Sequence, residues 1–297
     1  MQECKLNLAI IGLGNWGKKI LLEFSRTQTI TTCHTTGNSK NRIWLKNHFP
    51  KIKFETNVKN ILNNKNIDAV IIASPIKTHK NLIRISLLKG KHVFVEKPLS
   101  ENANDSQLLI NLAKKKQLHL FVGNIFLFHP VFEKLKILLS HEKIKSIHGI
   151  WLKTGTFKED ILLNLLYHEL CIVQEFLGQP KKITIKNSQK FVSCSDILNV
   201  RAIYANKINC DFYINRISNI KNKSLTIITD KNCYIWENDE LFKFLKRSSK
   251  FTKVFSSKKT ALENECKFFI KSLSKKPTKF EYASQSLNIL KTLSKIN

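Results

Sequence analysis

The chain is predicted to be an α/β protein in which an N-terminal parallel sheet is followed by an α+β domain with a large open, mainly antiparallel sheet. Three observations lead there. Up to about residue 122, short apolar runs alternate with stretches whose apolar residues recur at helical spacing; beyond it, β-type segments follow one another through short polar turns. The length of 297 residues also exceeds what a single hydrophobic core usually spans.

Residues 5–24, KLNLAIIGLGNWGKKILLEF, begin as a β-type run, pass through three glycines and continue with Ile20, Leu21 and Phe24 at helical spacing. That is strand, turn, helix. TITTC at 29–33 is rich in β-branched residues and reads as a strand, followed by the polar loop TTGNSKNR. IDAVIIAS (67–74), KHVFVE (91–96) and LHLFVGN (118–124) are nearly continuous apolar runs, as strands buried on both faces require; residues 57–64, 79–89 and 103–116 supply helices between them. Helices over 131–140 and 160–177 then precede KKITIKN, ILNVRAIYA, INCDFYINRI, SLTIITD and CYIWE, and a helical pair at 258–273 and 281–295 ends the chain. The change of rhythm divides it into domains at 1–122 and 123–297, with the last helix free to pack back on the first.

Hydrophobic residues at 42% and charged ones at 24% are those of a folded globular protein. Lys and Arg outnumber Asp and Glu by 50 to 22, a net charge of +28, yet the lysines are spread along the chain and not interleaved with stacking aromatics. A solvated basic surface follows, and nucleic acid is not the expected partner. The seven cysteines (Cys4, Cys33, Cys171, Cys194, Cys210, Cys233 and Cys266) never form a CxxC pair, which indicates neither a disulfide framework nor a zinc site and suits a reducing cytoplasm. No metal is expected. The N-terminus lacks a basic leader with a cleavage site, and no apolar run reaches the roughly 18 residues of a membrane span; a cytoplasmic protein without a membrane partner is expected.

Gly12, Gly14 and Gly17 form G-x-G-x-x-G between a strand and a helix, the context that gives the pattern its meaning. There Gly14 lets a pyrophosphate approach the backbone, Gly17 permits close helix packing, and the helix N-terminus presents free N–H groups. Asn15 and Trp16, inside the turn, are candidates for the same dinucleotide site. An NAD site usually has an acid at the end of the second strand for the ribose hydroxyls. Here no acidic residue occurs between Phe24 and Phe54; TITTC runs instead into His34, Thr35, Ser39, Lys40 and Arg42. Hydroxyls and cations suit a 2′-phosphate, so NADP(H) is preferred, with NAD(H) possible.

At IIGLGNWG, IDAVIIASPIKTH, GKHVFVEKPLS, FVGNIFLFHPVFEKLK and LLYHELCIVQEFLGQP the chain resembles the glucose-fructose oxidoreductase, inositol dehydrogenase and rhizopine-catabolism family (Gfo/Idh/MocA), over nearly its whole length. The Glu96-Lys97-Pro98 signature after an apolar strand is the most discriminating part. The resemblance implies a Rossmann domain whose strand ends face a cleft, with Lys97 directed at the nicotinamide ribose and the reacting carbon, Glu96 holding the loop and Pro98 fixing its direction. It also implies that Ser74, Pro75 and His79 line the cofactor, and that Asn124, Phe128 and His129 enter the substrate domain beside the active site, Asn124 and His129 as substrate contacts.

The proton-transfer partner implied is His168, on one helical face with Asn164 four residues earlier. Family members that use this helix often carry an acid where Asn164 stands; the amide can orient the imidazole but brings no negative charge. Glu169, about 100° around the helix, is a poor substitute. The expected activity is NAD(P)-dependent hydride transfer to or from a carbinol or carbonyl carbon of a sugar, cyclitol or nucleotide sugar, by a homodimer or homotetramer. Lys97 would stabilise the oxygen, and His168, with Asn164, would handle its proton. The alternative is a non-catalytic NAD(P)-binding module of the same fold.

Overall fold

The computed structural model describes residues 6–36, 39–277 and 280–296, so Cys4 lies outside the described residues. The chain divides into two compact units, Met1–Asn124 with Leu262–Leu287, and Ile125–Ala261 with Asn288–Asn297.

In the first unit, β1 (Asn7–Ile11), β2 (Thr29–His34), β3 (Lys53–Glu55), β4 (Ala69–Ile72), β5 (His92–Glu96) and β6 (Leu120–Gly123) form a sheet in the order β3-β2-β1-β4-β5-β6. Every pairing is parallel. Parallel strands need crossovers, and α1 (Asn15–Ser25), α2 (Ser39–His48), α3 (Val58–Asn63), α4 (Ile76–Leu88) and α5 (Ala103–Lys116) supply them. Helices therefore cover both faces, which is why Leu8, Ala9, Ile10, Val70, Ile71, Val93, Phe94 and Val95 are all completely buried. The strand order reverses between β1 and β4, the point at which sheets of this kind open a crevice at their carboxyl ends.

Two C-terminal helices, α8 (Ala261–Leu273) and α9 (Glu281–Leu293), follow much later in the chain. On one face of the parallel sheet, Phe269 of α8 lies 5.4 Å from Phe94, which also touches Phe24 of α1 at 5.5 Å and Phe121 of β6 at 5.2 Å. On the other face, Ala283 and Leu287 of α9 join Val70, Val93, Val95 and Leu109 in one core. Residues 262–287 thus belong to the first unit.

The segment 35–42, expected as a polar loop, proves to hold the start of α2, with Ser39, Lys40 and Arg42 in its first turns. Only Leu45 of that helix is buried, so the apolar stripe that would signal it is one residue wide. Of the expected loop, Gly37 and Asn38 lie outside the described residues.

The second unit begins with a short 3₁₀ turn, Ile125–Phe128, and α6 (Pro130–Leu139). Its sheet comprises β7 (Ile144–Thr154), β8 (Lys182–Gln189), β9 (Ile197–Ile203), β10 (Asn209–Asn215), β11 (Ile217–Thr229), β12 (Cys233–Glu237), β13 (Glu240–Leu245) and β14 (Lys250–Ser256), in the order β14-β13-β12-β11-β7-β10-β9-β8. All neighbours are antiparallel except β7 and β10. Period-two alternation turns Ile147, Gly149, Phe212, Leu225, Ile227, Tyr234 and Trp236 to the buried face and leaves His148, Ile150, Tyr213, Ile228 and Ile235 on the other. The central strand β7 is absent from the sequence reading because Lys145, Gly149 and Lys153 break its apolar pattern.

Between β7 and β8 runs α7 (Tyr167–Leu177), preceded by a π-helical turn, Leu162–Leu166. The single α-helix expected over 160–177 is therefore wider in its first turn. The loop leading into it is braced by a buried pair, Arg216 Nε to Asp196 Oδ1 at 3.1 Å, with Arg216 Nη1 donating to the carbonyls of Thr156 and Glu159 at 3.0 and 2.6 Å. Burial works against the Asp196 charge, but hydrogen bonds from the Ser193 side chain and the N–H groups of residues 191–193 hold its carboxyl well below the usual range.

Candidate functional site

The glycine turn has the geometry its sequence requires. Gly12 takes φ +101°, and a Cβ there would lie 2.3 Å from the Ala73 carbonyl oxygen; one on Gly17 would lie 2.2 Å from that of Gly12. These two glycines close the turn against β4. At Gly14 a Cβ would meet nothing within 4 Å, and the turn of α1 that begins at Asn15 has no side-chain cap on its N–H groups. Open space before free donors and the positive end of a helix dipole suits a pyrophosphate. The residues present therefore fit a dinucleotide.

Three more segments meet this turn at the carboxyl ends of the parallel strands. After β4, Ser74 Oγ and Thr78 Oγ1 are 2.6 Å apart, and Thr78 Oγ1 donates to the Pro75 carbonyl at 2.7 Å. After β5 come Lys97, half-buried, and a cis Lys97-Pro98 bond. His79 of α4 joins the two segments: Nδ1 is 2.9 Å from the Pro98 carbonyl and Nε2 2.9 Å from that of Ser74. It is 1% exposed, so it clamps the cofactor loops together and presents no ring edge to a ligand. Burial lowers its pKa, the two carbonyls opposing that shift.

Glu96 anchors the end of β5. Its Oε1 accepts from Trp16 Nε1 at 2.5 Å, so Trp16, expected to touch the cofactor, gives its polar atom to the loop that carries Lys97. The bare Cα of Gly123 leaves room for that carboxyl, since a Cβ there would stand 3.2 Å from Oε1. Burial pushes the Glu96 carboxyl up to about 7, with the Trp16 bond and the Lys97 charge pulling the other way. Glu265 of α8, 0% exposed, was not foreseen; burial and then the charge of Glu96 raise it well above the carboxylate range. Its signal, an isolated acid within an apolar helical stripe, is faint in sequence.

At the end of β2, His34 Nδ1 lies 2.9 Å from the Glu55 carbonyl, and Thr35 is buried. Ser39 is exposed, and the Arg42 guanidinium rests over the Phe54 ring at 4.9 Å. Glu55, on the neighbouring β3, has its carboxylate engaged by Lys53 at 2.6 Å and Asn60 at 2.9 Å. Those two partners hold its pKa low.

The side chains of Asn124 and His129, expected as substrate contacts, have hydrogen-bond partners within the protein. Asn124 is 1% exposed and donates to Gln285 Oε1 of α9 at 2.9 Å, within the first unit. Phe128 is buried. His129 caps α6, its Nδ1 accepting from the Val131 N–H at 3.2 Å; Nε2 must then carry the proton, which it donates to Asp239 Oδ1 at 3.0 Å. Burial lowers its pKa and the Asp239 bond opposes the shift.

In the second unit, Asn164 sits in the π-turn and His168 in the first turn of α7, both half-buried. The imidazole of His168 is 5.1 Å from Phe126 and 5.5 Å from Trp151 of β7. Beside it is a group the sequence reading missed, Lys223 of β11, whose ammonium is 2.6 Å from Glu169 Oε1. Alternation along β11, which places Lys223 on the face of Leu225 and Ile227, was the available signal.

Residues 6–124 match the oxidoreductase family with an NAD-binding Rossmann fold known as Gfo/Idh/MocA. The match spans the part of the chain that carries the glycine turn and the parallel sheet. Among its relatives, the myo-inositol 2-dehydrogenase of Thermotoga maritima is 36% identical over 88 residues, 30% of this chain and 26% of that protein. The curated relatives it matches are covered over less than half their length. The whole fold recurs in UDP-N-acetylglucosamine 3-dehydrogenase from Acidithiobacillus ferrooxidans, with a TM-score of 0.89 at 17% identity, covering 98% of this chain and 96% of that one. It recurs too in the 3-ketoreductase KijD10 from Actinomadura kijaniata, solved with TDP-benzene and NADP, with a TM-score of 0.86 at 14% identity over 99% and 97% of the two chains. Among the described residues no three His, Cys, Asp or Glu side chains gather to hold a metal ion, and no helix is long and apolar enough to cross a membrane.

The raised pKa of Glu96 has a signed consequence. The folded state holds its proton up to about pH 7, whereas the unfolded chain releases it near 4.5. The stability this contributes is complete below the lower value and declines as pH rises through the upper one. Glu96→Gln, which keeps an acceptor for Trp16, should flatten the fall in thermal midpoint between about pH 5 and pH 8, measured by circular dichroism.

Proposed function

We propose that the protein is an NAD(P)-dependent oxidoreductase acting on a carbinol or carbonyl carbon of a sugar, cyclitol or nucleotide sugar. The observation that carries this reading is the open approach at Gly14 to the uncapped start of α1, at the same strand ends where Glu96 and His79 hold the loop of Lys97. Gly12, Gly14 and Gly17 would hold the pyrophosphate, Ser74 and Pro75 the nicotinamide half, and Lys97 its ribose. When bound, the dinucleotide supplies or accepts the hydride. The Lys97 ammonium stabilises the substrate oxygen as it gains alkoxide character, and His168 exchanges the hydroxyl proton, with Asn164 orienting imidazole or substrate. The inositol and nucleotide-sugar dehydrogenases among its relatives and structural neighbours support a polyhydroxylated ring as substrate.

NADP(H) is the preferred cofactor on this reading. Ser39, Lys40 and Arg42 open α2 just after β2, and the neighbouring acid, Glu55, is occupied by Lys53 and Asn60. The NADP of the KijD10 complex accords with it. Titration should show NADPH binding more tightly than NADH, and Arg42→Ala should reduce the difference by about 1–3 kcal/mol through loss of a charge-assisted phosphate contact. Equal affinities would refute the preference.

The second unit is proposed to associate with another copy through the outward face of its sheet, where Ile150 and Ile228 are 39% and 38% exposed beside Tyr213 and Ile235. Sedimentation at micromolar concentration should give a dimer or tetramer, and Ile150→Lys should shift it towards monomer. A wild-type monomer would remove this assignment.

For the chemistry, Lys97→Met and His168→Ala should each preserve the fold and NADPH affinity while lowering turnover by roughly 10² to 10⁴. The assay couples NADPH oxidation to panels of keto-sugars and keto-nucleotide sugars, and the reverse reaction to cyclitols. Turnover unchanged in both variants would remove these roles from Lys97 and His168, whereas NADPH binding without turnover on any of these substrates would leave a dinucleotide-binding module, the alternative that the amide at Asn164 favours.

A further inference from the structure

The buried face of the second unit's sheet carries one feature that hydride transfer as described does not use. Lys223 stands on β11 in register with Trp151 of β7, on the face that Leu225 and Ile227 share, where an apolar residue is the rule. Its ammonium lies 4.5 Å from the centroid of Phe126, 4.9 Å from Trp151 and 5.7 Å from Trp236, three aromatic faces around one cation. The fourth neighbour is the Glu169 carboxylate at 2.6 Å, its side chain 1% exposed against 15% for Lys223.

Glu169 follows His168 directly in α7, and the rings that contact the imidazole most closely, Phe126 at 5.1 Å and Trp151 at 5.5 Å, are the two nearest the ammonium. The sheet is cut to admit the pair. A Cβ on Gly149, beside Trp151 on the same face, would stand 3.2 Å from Glu169 Oε2 and 2.8 Å from Phe212. A glycine in mid-strand weakens a sheet, and a hydrocarbon chain at position 223 would fill the space without desolvating a charge. Stability alone therefore does not account for the arrangement.

We propose that Lys223 is a positioning residue for His168: by pairing with Glu169 and filling the box of Phe126, Trp151 and Trp236, it fixes the rotation of α7 and the two rings that hold the imidazole. This rests on the reading of His168 as the proton carrier, and it gives that histidine a rigid seat where Asn164 brings no carboxylate. A cation between two ring faces sets their separation and tilt through the ring quadrupoles. The carboxylate on the other side ties that cation to the residue next to His168. The histidine is thereby held from the sheet and from its own helix at once.

The test needs no substrate. Protein with labelled His, Phe and Trp side chains is examined by nuclear Overhauser spectroscopy, with His168→Ala assigning the imidazole signals. In the wild type, His168 ring protons should show cross-peaks to Phe126 and Trp151. Lys223→Arg keeps a cation able to pair with the carboxylate and stack on the rings, and should retain them. Lys223→Met leaves Glu169 buried without a counter-charge and risks unfolding, so the deciding variant is Lys223→Met combined with Glu169→Gln. That variant should fold and bind NADPH but lose the cross-peaks and change the tryptophan emission of Trp151 and Trp236. Cross-peaks retained in the folded double variant, or lost in Lys223→Arg, would overturn the proposal. Because these signals report geometry, they decide on Lys223 even if His168→Ala shows full turnover and the proton-transfer reading fails.

Discussion

A hydrogen bond from the Trp16 indole to the Glu96 carboxyl holds the first unit's site together. It joins the glycine turn that follows β1 to the loop that follows β5, two segments eighty residues apart in sequence. Trp16 lies in the first turn of α1 and Glu96 is the last residue of β5, so the bond ties the two elements together just where each meets its loop. The acceptor is a carboxyl that burial drives towards neutrality, set in a notch left by the missing side chain of Gly123. His79 packs between the two loops one strand over, its ring nitrogens each 2.9 Å from a carbonyl oxygen, those of Pro98 and Ser74. With its neighbours fixed in this way, Lys97 is presented by a constrained loop, and little of its alignment needs to be ordered when a ligand arrives.

The second unit solves a similar problem with different chemistry. Its candidate group, His168, is carried on a helix that begins in a π-turn, an element with one weak turn where functional residues are often found. What steadies the approach to that turn is a buried ion pair, Arg216 with Asp196, which gathers the carbonyls of Thr156 and Glu159. What steadies the helix after it is a second pair, Lys223 with Glu169, enclosed by aromatic rings. The first unit thus joins the loops after β4 and β5 through Trp16, Glu96 and His79, and the second encloses ion pairs about its sheet.

Several site residues were legible because local rules exposed them. Gly12, Gly14 and Gly17 stand where a strand-to-helix turn needs a positive φ, an open approach and a close contact, three demands that no other residue meets together. Lys97 was visible as a charge and a proline ending an apolar run. Histidines were not so easily sorted. His79, His129 and His168 all sit beside plausible site residues, yet His79 and His129 give both ring nitrogens to the protein and serve as a clamp and a helix cap. Hydrogen-bond partners brought from distant segments separate these roles, and sequence spacing does not carry them.

The sequence by itself determined the alternation of strands and helices, the turn that binds a dinucleotide and the place where the parallel sheet ends. Those features follow from periodicity and backbone sterics, which act over a few residues. Only the tertiary structure decided that residues 262–287 return to the first sheet, that Trp16 serves Glu96, and that Lys223 belongs beside His168. Each of these depends on residues 55 or more positions apart meeting in a buried or partly buried setting. In that setting a charge or a polar atom must find a partner, and which partner it finds is set by packing of the whole unit.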